Sequence, residues 1–253
     1  LMAMSAPMVA FAGYSTKVAM DFEQGMAQVS AISGATGKDL EKLSNKAKEL
    51  GATTSKSATE SAKAMEYQAL AGWNVQQILE GTEPILRLSE ATNLDLARAS
   101  DLTTDSMSAM GIETKNLGRY LDIVAQAQRS SNTTAGDLME AYIGVGGTLK
   151  NLNVPLEESS AWLGVLANRG IKGSEAGNAL SSVLINLTSG LGQAGTAMQE
   201  LGISAYDNEG KFKGIEVVLK ELDTALANCS EEQRDMYLAM IGGKTNIDTL
   251  NSL

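Results

Sequence analysis

The sequence predicts an all-α protein, and its composition, its periodicity and its glycine pattern support that prediction. Aromatic residues make up only 4% of a chain that is 43% hydrophobic, which disfavours a sheet built from aromatic and β-branched residues. Apolar residues recur at intervals of three and four, as they do on one face of a helix. We expect about eleven short to medium helices, preceded by one longer heptad-patterned helix, together with one small β-hairpin.

The longer first helix is predicted to run from about Pro7 to Ser33, because proline suits a first helical turn. Its apolar stripe passes through Met8, Phe11, Ser15, Val18, Phe22, Gly25, Val29 and Ile32. A heptad stripe of this kind can pair two helices, so we expect that the N-terminal helix could form a homo-oligomer. We assign residues 1–36 to this helix and its linker, and residues 37–253 to a separate helical domain.

Several helix ends are marked by a glycine followed by an apolar residue, as in "SMSAMGI" (106–112), "LANRGI" (166–171) and "MQELGI" (198–203). In a Schellman ending the glycine adopts a left-handed conformation, and the next residue pairs with the residue five positions earlier. The predicted pairs are Ile112 with Met107, Ile171 with Leu166, and Ile203 with Met198. Three helices are therefore expected to end just before Gly111, Gly170 and Gly202.

Helix starts are marked by a capping residue with an acidic or amide side chain three positions later. The predicted cap pairs are Ser57 with Glu60, Thr134 with Asp137, and Ser230 with Gln233. Pro155 is expected to open a further helix, "PLEESSAWLGVLANRG".

The segment "ISAYDNEGKFKGI" (203–215) interrupts the helical pattern. Its central "DNEGK" joins two short mixed runs and is typical of a turn. The segment therefore predicts the small β-hairpin.

The stretch "RGIKGSEAGNAL" (169–180) places three glycines in an otherwise helical region, where each costs about 1 kcal/mol relative to alanine. We expect Gly170 to end one helix, Gly173 to lie in a connector and Ser174 to cap the next helix. Gly173, Gly177 and Ser181 then share one helix face, against which another helix can approach closely. An adjacent apolar stripe consists of Leu180, Val183, Leu184 and Leu187. These glycines are therefore predicted to be architectural.

Residues suited to catalysis or metal binding are scarce. The chain has no histidine and one cysteine, which excludes a Ser/His/Asp triad, a histidine-ligated zinc and a multi-thiolate site. "GATGK" (34–38) and "GGKT" (242–245) lack the spacing and the preceding strand of a phosphate-binding loop. "GVGGT" (144–148) also follows no strand, and we interpret it as a kink or packing gap late in a helix.

The carboxylate pairs also have a structural explanation. Glu157 with Glu158 and Glu231 with Glu232 fall at predicted helix N-termini, where negative charge favours the helix dipole. We therefore predict no enzyme activity and no catalytic, cofactor-binding or metal-binding residues. The net charge of −10, with no concentrated basic window, disfavours sequence-specific nucleic-acid binding.

Five segments, in this order along the chain, resemble the conserved helical region of tail tape measure proteins of long-tailed bacteriophages and prophages. They are "FEQGMAQVSAISGAT" (22–36), "LGATTSKSATESAKAM" (50–65), "ALAGW" (69–73), "NRGIKGSEAGNAL" (168–180) and "LGISAYDNEGK" (201–211). Together they extend over nearly the whole chain.

The resemblance implies a structural protein of the virion tail that sets tail length, fills the tail tube and is released at infection to help DNA cross the host envelope. It implies assembly in the bacterial cytoplasm, with the tail tube protein, tail-tip or distal tail proteins and assembly chaperones as partners, and later contact with the host envelope. Two alternatives stay open: a segment of a peptidoglycan hydrolase, and a helical membrane-inserting or secreted interaction module.

Overall fold

The structure, a computed structural model, describes the backbone of residues 5–253 and the side chains of residues 17–243 and 246–253. This part of the chain forms twelve α-helices and one 3-10 turn, Thr114–Asn116. The helices are α1 (Ser5–Ser33), α2 (Gly37–Thr53), α3 (Ala58–Leu70), α4 (Val75–Thr92), α5 (Leu96–Met110), α6 (Leu117–Ser130), α7 (Ala135–Asn151), α8 (Leu156–Asn168), α9 (Gly173–Thr188), α10 (Gly192–Glu200), α11 (Ile215–Leu226) and α12 (Glu231–Ser252). The all-α prediction is confirmed.

The prediction of a β-hairpin at residues 203–215 is wrong. Across residues 5–253 the backbone forms no β-strand, and the segment between α10 and α11 contains only one isolated antiparallel bridge, Tyr206 to Phe212. The Asp207 carboxylate accepts the N–H groups of Glu209 and Lys211 at 2.9 and 2.8 Å. These local bonds stabilise a tight turn, and α11 begins immediately after Gly214, so no residues are left to extend a ladder.

The chain divides into two compact units. The first comprises the described residues up to Asp105 together with Glu113–Leu121, and the second comprises Ser106–Ile112 together with Asp122–Leu253. The boundary predicted at residue 36 lies inside the first unit and stays a prediction.

In the first unit, α1 packs against α3, which also contacts α2 and α4. The shared core contains Met26, Val29, Leu43, Ala47, Ala62, Met65, Ala69 and Ile78, with the partly buried Phe22 and Trp73 against it. The central part of the predicted heptad stripe, from Phe22 to Val29, is therefore already used within the same chain.

The ends of the heptad stripe follow the prediction less well. Val18 and Ile32 are 44% and 39% exposed, because an α-helix drifts by about 20° per heptad relative to a strict seven-residue repeat. Met26, which is outside the predicted stripe, is buried instead. The side chains of Met8, Phe11 and Ser15 lie outside the described residues.

All three predicted Schellman endings are confirmed. The N–H groups of Ile112, Ile171 and Ile203 donate to the carbonyls of Met107, Leu166 and Met198 at 2.8, 3.0 and 2.8 Å. The three intervening glycines have φ angles of +67°, +93° and +70°. Each of these helices therefore ends at the predicted glycine, with a backbone bond typical of a Schellman motif.

Gly170 allows a test of this ending. An added Cβ would meet none of the described atoms within 4 Å, so a substitution acts through the backbone conformation alone. We expect Gly170→Val to lower the free energy of unfolding by more than about 1 kcal/mol, because a β-branched residue resists a positive φ. Gly170→Asn, which tolerates that conformation, should cost less. Equal urea midpoints for both variants and the wild type would contradict this reading.

The predicted caps are also confirmed. Ser57 with Glu60, Thr134 with Asp137, and Ser230 with Gln233 each form a reciprocal capping box. A fourth box, Asn74 with Gln77, begins α4 and was not predicted. Pro155 is the residue immediately before α8.

The first box predicts a pH effect. The Ser57 N–H and hydroxyl each donate a hydrogen bond of 2.8 Å to Glu60 Oε2. These bonds, and the one from the backbone N–H most of all, lower the pKa of Glu60 from its ordinary value of 4.5. The ionised carboxylate therefore stabilises the fold above that value, and the stabilisation is lost as pH falls through the lowered pKa. We expect Glu60→Gln to destabilise the protein at neutral pH, by an amount that shrinks in acid. Urea titrations at a series of pH values measure this difference, and a pH-independent difference would contradict it.

Candidate functional site

The glycines of residues 169–180 lie at a close contact between α7 and α9. A Cβ added to Gly177 would overlap the Ala141 carbonyl oxygen and lie 2.8 Å from the Ala141 Cα. One turn further along, the hydroxyls of Ser181 and Thr148 are 2.8 Å apart. The predicted face of small residues is therefore confirmed, and α7 is the helix that approaches it.

The opposite helix contributes its own small residues. A Cβ on Gly144 would lie 2.9 Å from Asn178 Oδ1 and 3.3 Å from the Gly177 carbonyl carbon. A Cβ on Gly146 would lie 2.9 Å from the backbone carbonyl carbon of Ala109, near the end of α5. The "GVGGT" stretch, interpreted from the sequence as a kink or packing gap, instead provides close contacts to two helices.

The apolar stripe beside this contact is buried as predicted. Leu180, Val183 and Leu184 have no exposed surface, and Leu187 is 3% exposed. On α7, Leu138, Met139, Tyr142 and Val145 are equally buried. Small residues bring the two backbones together, and this apolar surface supplies the favourable free energy of the contact.

The start of α9 differs from the prediction. Gly173, expected in the connector, is the first residue of α9, and Lys172 rather than Ser174 precedes the helix as its N-cap residue, with no side-chain capping bond. A Cβ on Gly173 would lie 3.3 Å from Glu140 Oε2 and 3.8 Å from Asp137 Oδ1. These two carboxylates of α7 complement the positive end of the α9 dipole, so a serine cap is not needed.

Tyr142 connects α7 to α8 and was not predicted. Its hydroxyl lies 2.7 Å from Ser160 Oγ, 3.3 Å from Ser159 Oγ and 3.2 Å from the Leu156 carbonyl. Burial raises the pKa of the Tyr142 hydroxyl, so it stays protonated and acts as a structural hydrogen-bonding group. The adjacent serines early in α8 were the only sequence signal for it.

The two segments that resemble phosphate-binding loops lie in helical surroundings. Residues 34–38 join α1 to α2, and residues 242–245 lie at a break within α12. A phosphate-binding loop needs a strand before it, and a helix precedes each of these segments. Neither segment therefore has the backbone context of a phosphate-binding loop.

The carboxylate pairs lie where the sequence placed them, in the first turns of α8 and α12. Burial, and to a lesser extent Glu216, raise the pKa of Glu158. In the described part of the chain, no group of three metal-ligating side chains is assembled. Among the same residues, no helix is both long enough and apolar enough to cross a membrane.

A family model described as phage-related minor tail protein matches residues 44–243. The chain belongs to this family. This chain is 33% identical over 251 residues to the tape measure protein of Pneumococcus phage Dp-1. The alignment covers 99% of this chain and 22% of that protein. This chain is also 26% identical over 228 residues to the probable tape measure protein of Escherichia phage P2. That alignment covers 88% of this chain and 28% of the phage P2 protein. No solved structure matches the chain significantly.

The matched region thus spans about a quarter of the length of these curated relatives. It contains both glycine-mediated contacts of α9 with α7 and all three predicted Schellman endings. The resemblance to tape measure proteins drawn from five sequence segments is confirmed.

Proposed function

We propose that this chain is a folded anchor region of a phage tail tape measure protein, and that it is not the length-determining part. In this proposal the region belongs to the virion tail, assembles in the bacterial cytoplasm and has no enzyme activity. The relatives' names support the tape measure assignment. The close packing of α7 on α9 supports the anchor role.

Side-by-side packing changes how much length each residue contributes. A continuous helix gains about 1.5 Å per residue, so residues 37–253 in one rod would extend about 325 Å. Here α7 and α9, each about 25 Å long, lie side by side and share a contact at Gly177. Helices packed side by side do not add their lengths, so the number of residues in this region is a poor measure of tail length.

The first experiment deletes residues 135–188, which contain α7 to α9, from the tape measure protein of the intact phage. Tails are then measured by electron microscopy. An anchor predicts that tails fail to assemble or keep their normal length. Shortening by about 80 Å, which is 1.5 Å for each of about 54 residues, would contradict the proposal. A control deletion of equal length, placed outside the aligned 251 residues of the phage Dp-1 relative, should shorten the tail.

The second experiment changes the packing without changing the residue count. Gly177→Val, introduced into the phage, should reduce the number of assembled tails, because the anchor depends on the α7–α9 contact. A length-determining segment would give normal numbers of tails of normal length. Gly147→Ala is the matched control, because a Cβ there meets none of the described atoms within 4 Å.

The proposed partners follow from the anchor role. A folded region at a fixed place in the tail would contact the tail tube protein or the distal tail proteins, and assembly chaperones would hold it until then. The heptad stripe upstream of Phe22 is the place for a homo-oligomeric contact, since the stripe from Phe22 to Val29 is buried within the chain. Contact with the host envelope would follow release of the protein at infection.

A further inference from the structure

A cavity of 390 Å³ lies in the second unit, between the loop that joins α7 to α8 and the turn that precedes α11. Its apolar walls are formed by Leu152, Val154 and Pro155 of the loop and by Tyr206 and Phe212 of the turn. The polar side chains that line it are those of Asn151, Asn153, Glu158, Lys211 and Lys213. The volume falls within the range of small-ligand pockets, about 300–1,000 Å³, so the cavity can hold a long side chain of another molecule.

Both walls are held in place by contacts within the chain. The Val154 N–H donates to the Leu149 carbonyl at 3.0 Å, which fixes the loop at the end of α7. On the opposite wall Tyr206 and Phe212 form the isolated bridge, and their rings pack edge to face with their centroids 6.4 Å apart. A cavity with fixed walls needs little ordering when a ligand enters.

The carboxylate of Glu158, in the first turn of α8, has no partner in this cavity. A Cβ on Gly214 would lie 3.7 Å from Glu158 Oε1, which places the carboxylate beside the residue that precedes α11. In the described part of the chain, this carboxylate accepts no hydrogen bond and forms no ion pair. Burial, and after it the charge of Glu216, raise the pKa of Glu158. The ionised carboxylate is therefore left uncompensated by the chain itself.

The two lysines of the lining do not neutralise this charge. Lys213 Nζ donates to both carboxylate oxygens of Glu221, at 2.8 and 2.7 Å. Lys211 is exposed and forms no ion pair with Glu158 or with any other side chain that the structure describes. The cavity thus combines an unpaired negative charge with aromatic and aliphatic walls.

We propose that this cavity binds a lysine or arginine side chain of a neighbouring protein. The cationic end pairs with the Glu158 carboxylate, and the faces of the Tyr206 and Phe212 rings attract the same cation. The aliphatic stem packs against Leu152 and Pro155. An anion would face the unpaired carboxylate, and an uncharged apolar group would bury it without a partner. The site does not depend on the anchor role proposed above.

The test titrates the chain with N-acetyl-lysine N-methylamide and follows the NMR signals of the Gly210 and Gly214 amides. We expect saturable shifts with a Kd of about 1 mM, and comparable binding of the corresponding arginine derivative. The norleucine derivative has the same stem without the ammonium group, and it should bind at least about tenfold more weakly. Absence of binding, or equal binding of the lysine and norleucine derivatives, would overturn the proposal.

Glu158→Gln removes the charge and keeps the size of the side chain. It should weaken binding of the lysine derivative at least about tenfold, whereas Glu209→Gln, which removes a charge from the same turn outside the lining, should bind as the wild type does. Equal weakening by both substitutions would show a general effect of charge and would overturn the proposal.

The stability of Glu158→Gln separates ligand binding from a role in the fold. Because the ionised carboxylate is uncompensated in the free protein, the variant should unfold at the same or a higher urea concentration at pH 7. A clearly lower midpoint would show that Glu158 serves the dipole of α8, and would overturn the proposal.

Lys211→Ala tests whether the chain fills its own cavity. With an external side chain as the ligand, the wild type binds the lysine derivative, and Lys211→Ala binds it at least as tightly. Binding that is detected only in Lys211→Ala would show that Lys211 itself occupies the cavity in solution, and would overturn the proposal.

Discussion

Replacing Gly177 with valine is expected to lower the free energy of unfolding by about 3 kcal/mol. The added Cβ overlaps the Ala141 carbonyl oxygen and lies 2.8 Å from the Ala141 carbonyl carbon. These are backbone atoms inside a helix, so they cannot turn aside as a flexible side chain would. Relief requires α7 and α9 to separate, which exposes the buried leucine stripe beside the contact.

Intrinsic helix propensity acts in the opposite direction but is smaller. Exchanging a helical glycine for another residue gains at most about 1 kcal/mol, which does not offset the clash. Gly147→Ala on α7 isolates that gain, because no described atom lies within 4 Å of its added Cβ; it should leave stability unchanged or raise it. The two variants are compared by urea denaturation followed by circular dichroism. A urea midpoint for Gly177→Val at or above that of Gly147→Ala would show that α7 and α9 can move apart without loss of stability.

The face of small residues on α9 could be predicted, whereas its partner helix could not. The spacing of Gly173, Gly177 and Ser181 is a local property of a 3.6-residue period. The identity of the approaching helix depends on which residues meet in the folded chain. "GVGGT" was interpreted as a kink or packing gap, and nothing in either segment specified that Gly144 contacts Gly177.

Helix ends were predicted well because their signals are local. The same signal also marks an ending that was missed: Gly72 has φ +81°, and Trp73 N donates to the Gln68 carbonyl at 3.0 Å. A further ending uses Asn153, with φ +53°, in place of glycine. Asparagine tolerates the left-handed conformation, but it is too common elsewhere for its presence to identify an ending.

The hairpin and the α12 break show the opposite situation. The turn residues at 207–211 predicted the turn itself correctly. Strands form beside a turn only where enough residues remain for pairing, and here α11 begins at Ile215, immediately after the bridge segment. The glycines of "GGKT" (242–245) lack the spacing of a phosphate-binding loop, and nothing in the sequence indicated a helix break at this place. Just before the break, the Ile241 carbonyl accepts a hydrogen bond from Asn186, 55 positions away along the chain, and no local sequence signal shows such a contact.

Replacing Leu166 with alanine is the second large change, with an expected loss of about 3 kcal/mol in the free energy of unfolding. Leu166 has no exposed surface, and it is the residue that pairs with Ile171 across the end of α8. Its carbonyl accepts the Ile171 N–H at 3.0 Å, a backbone bond that alanine retains. The loss therefore measures the buried side chain and the cavity that its removal leaves, and not the loss of the helix ending.

Val165→Ala supplies the matched control for Leu166→Ala. The two residues are adjacent in α8, but the Val165 side chain is 41% exposed. Its truncation removes little buried surface, and alanine is the better helix former by a few tenths of a kcal/mol. We therefore expect the free energy of unfolding of Val165→Ala to lie within about 0.5 kcal/mol of the wild-type value. Leu166→Ala should unfold at a clearly lower urea concentration. Equal midpoints for the two variants would show that α8 does not present Leu166 to the core, and would also remove the side-chain part of the Schellman ending at Gly170.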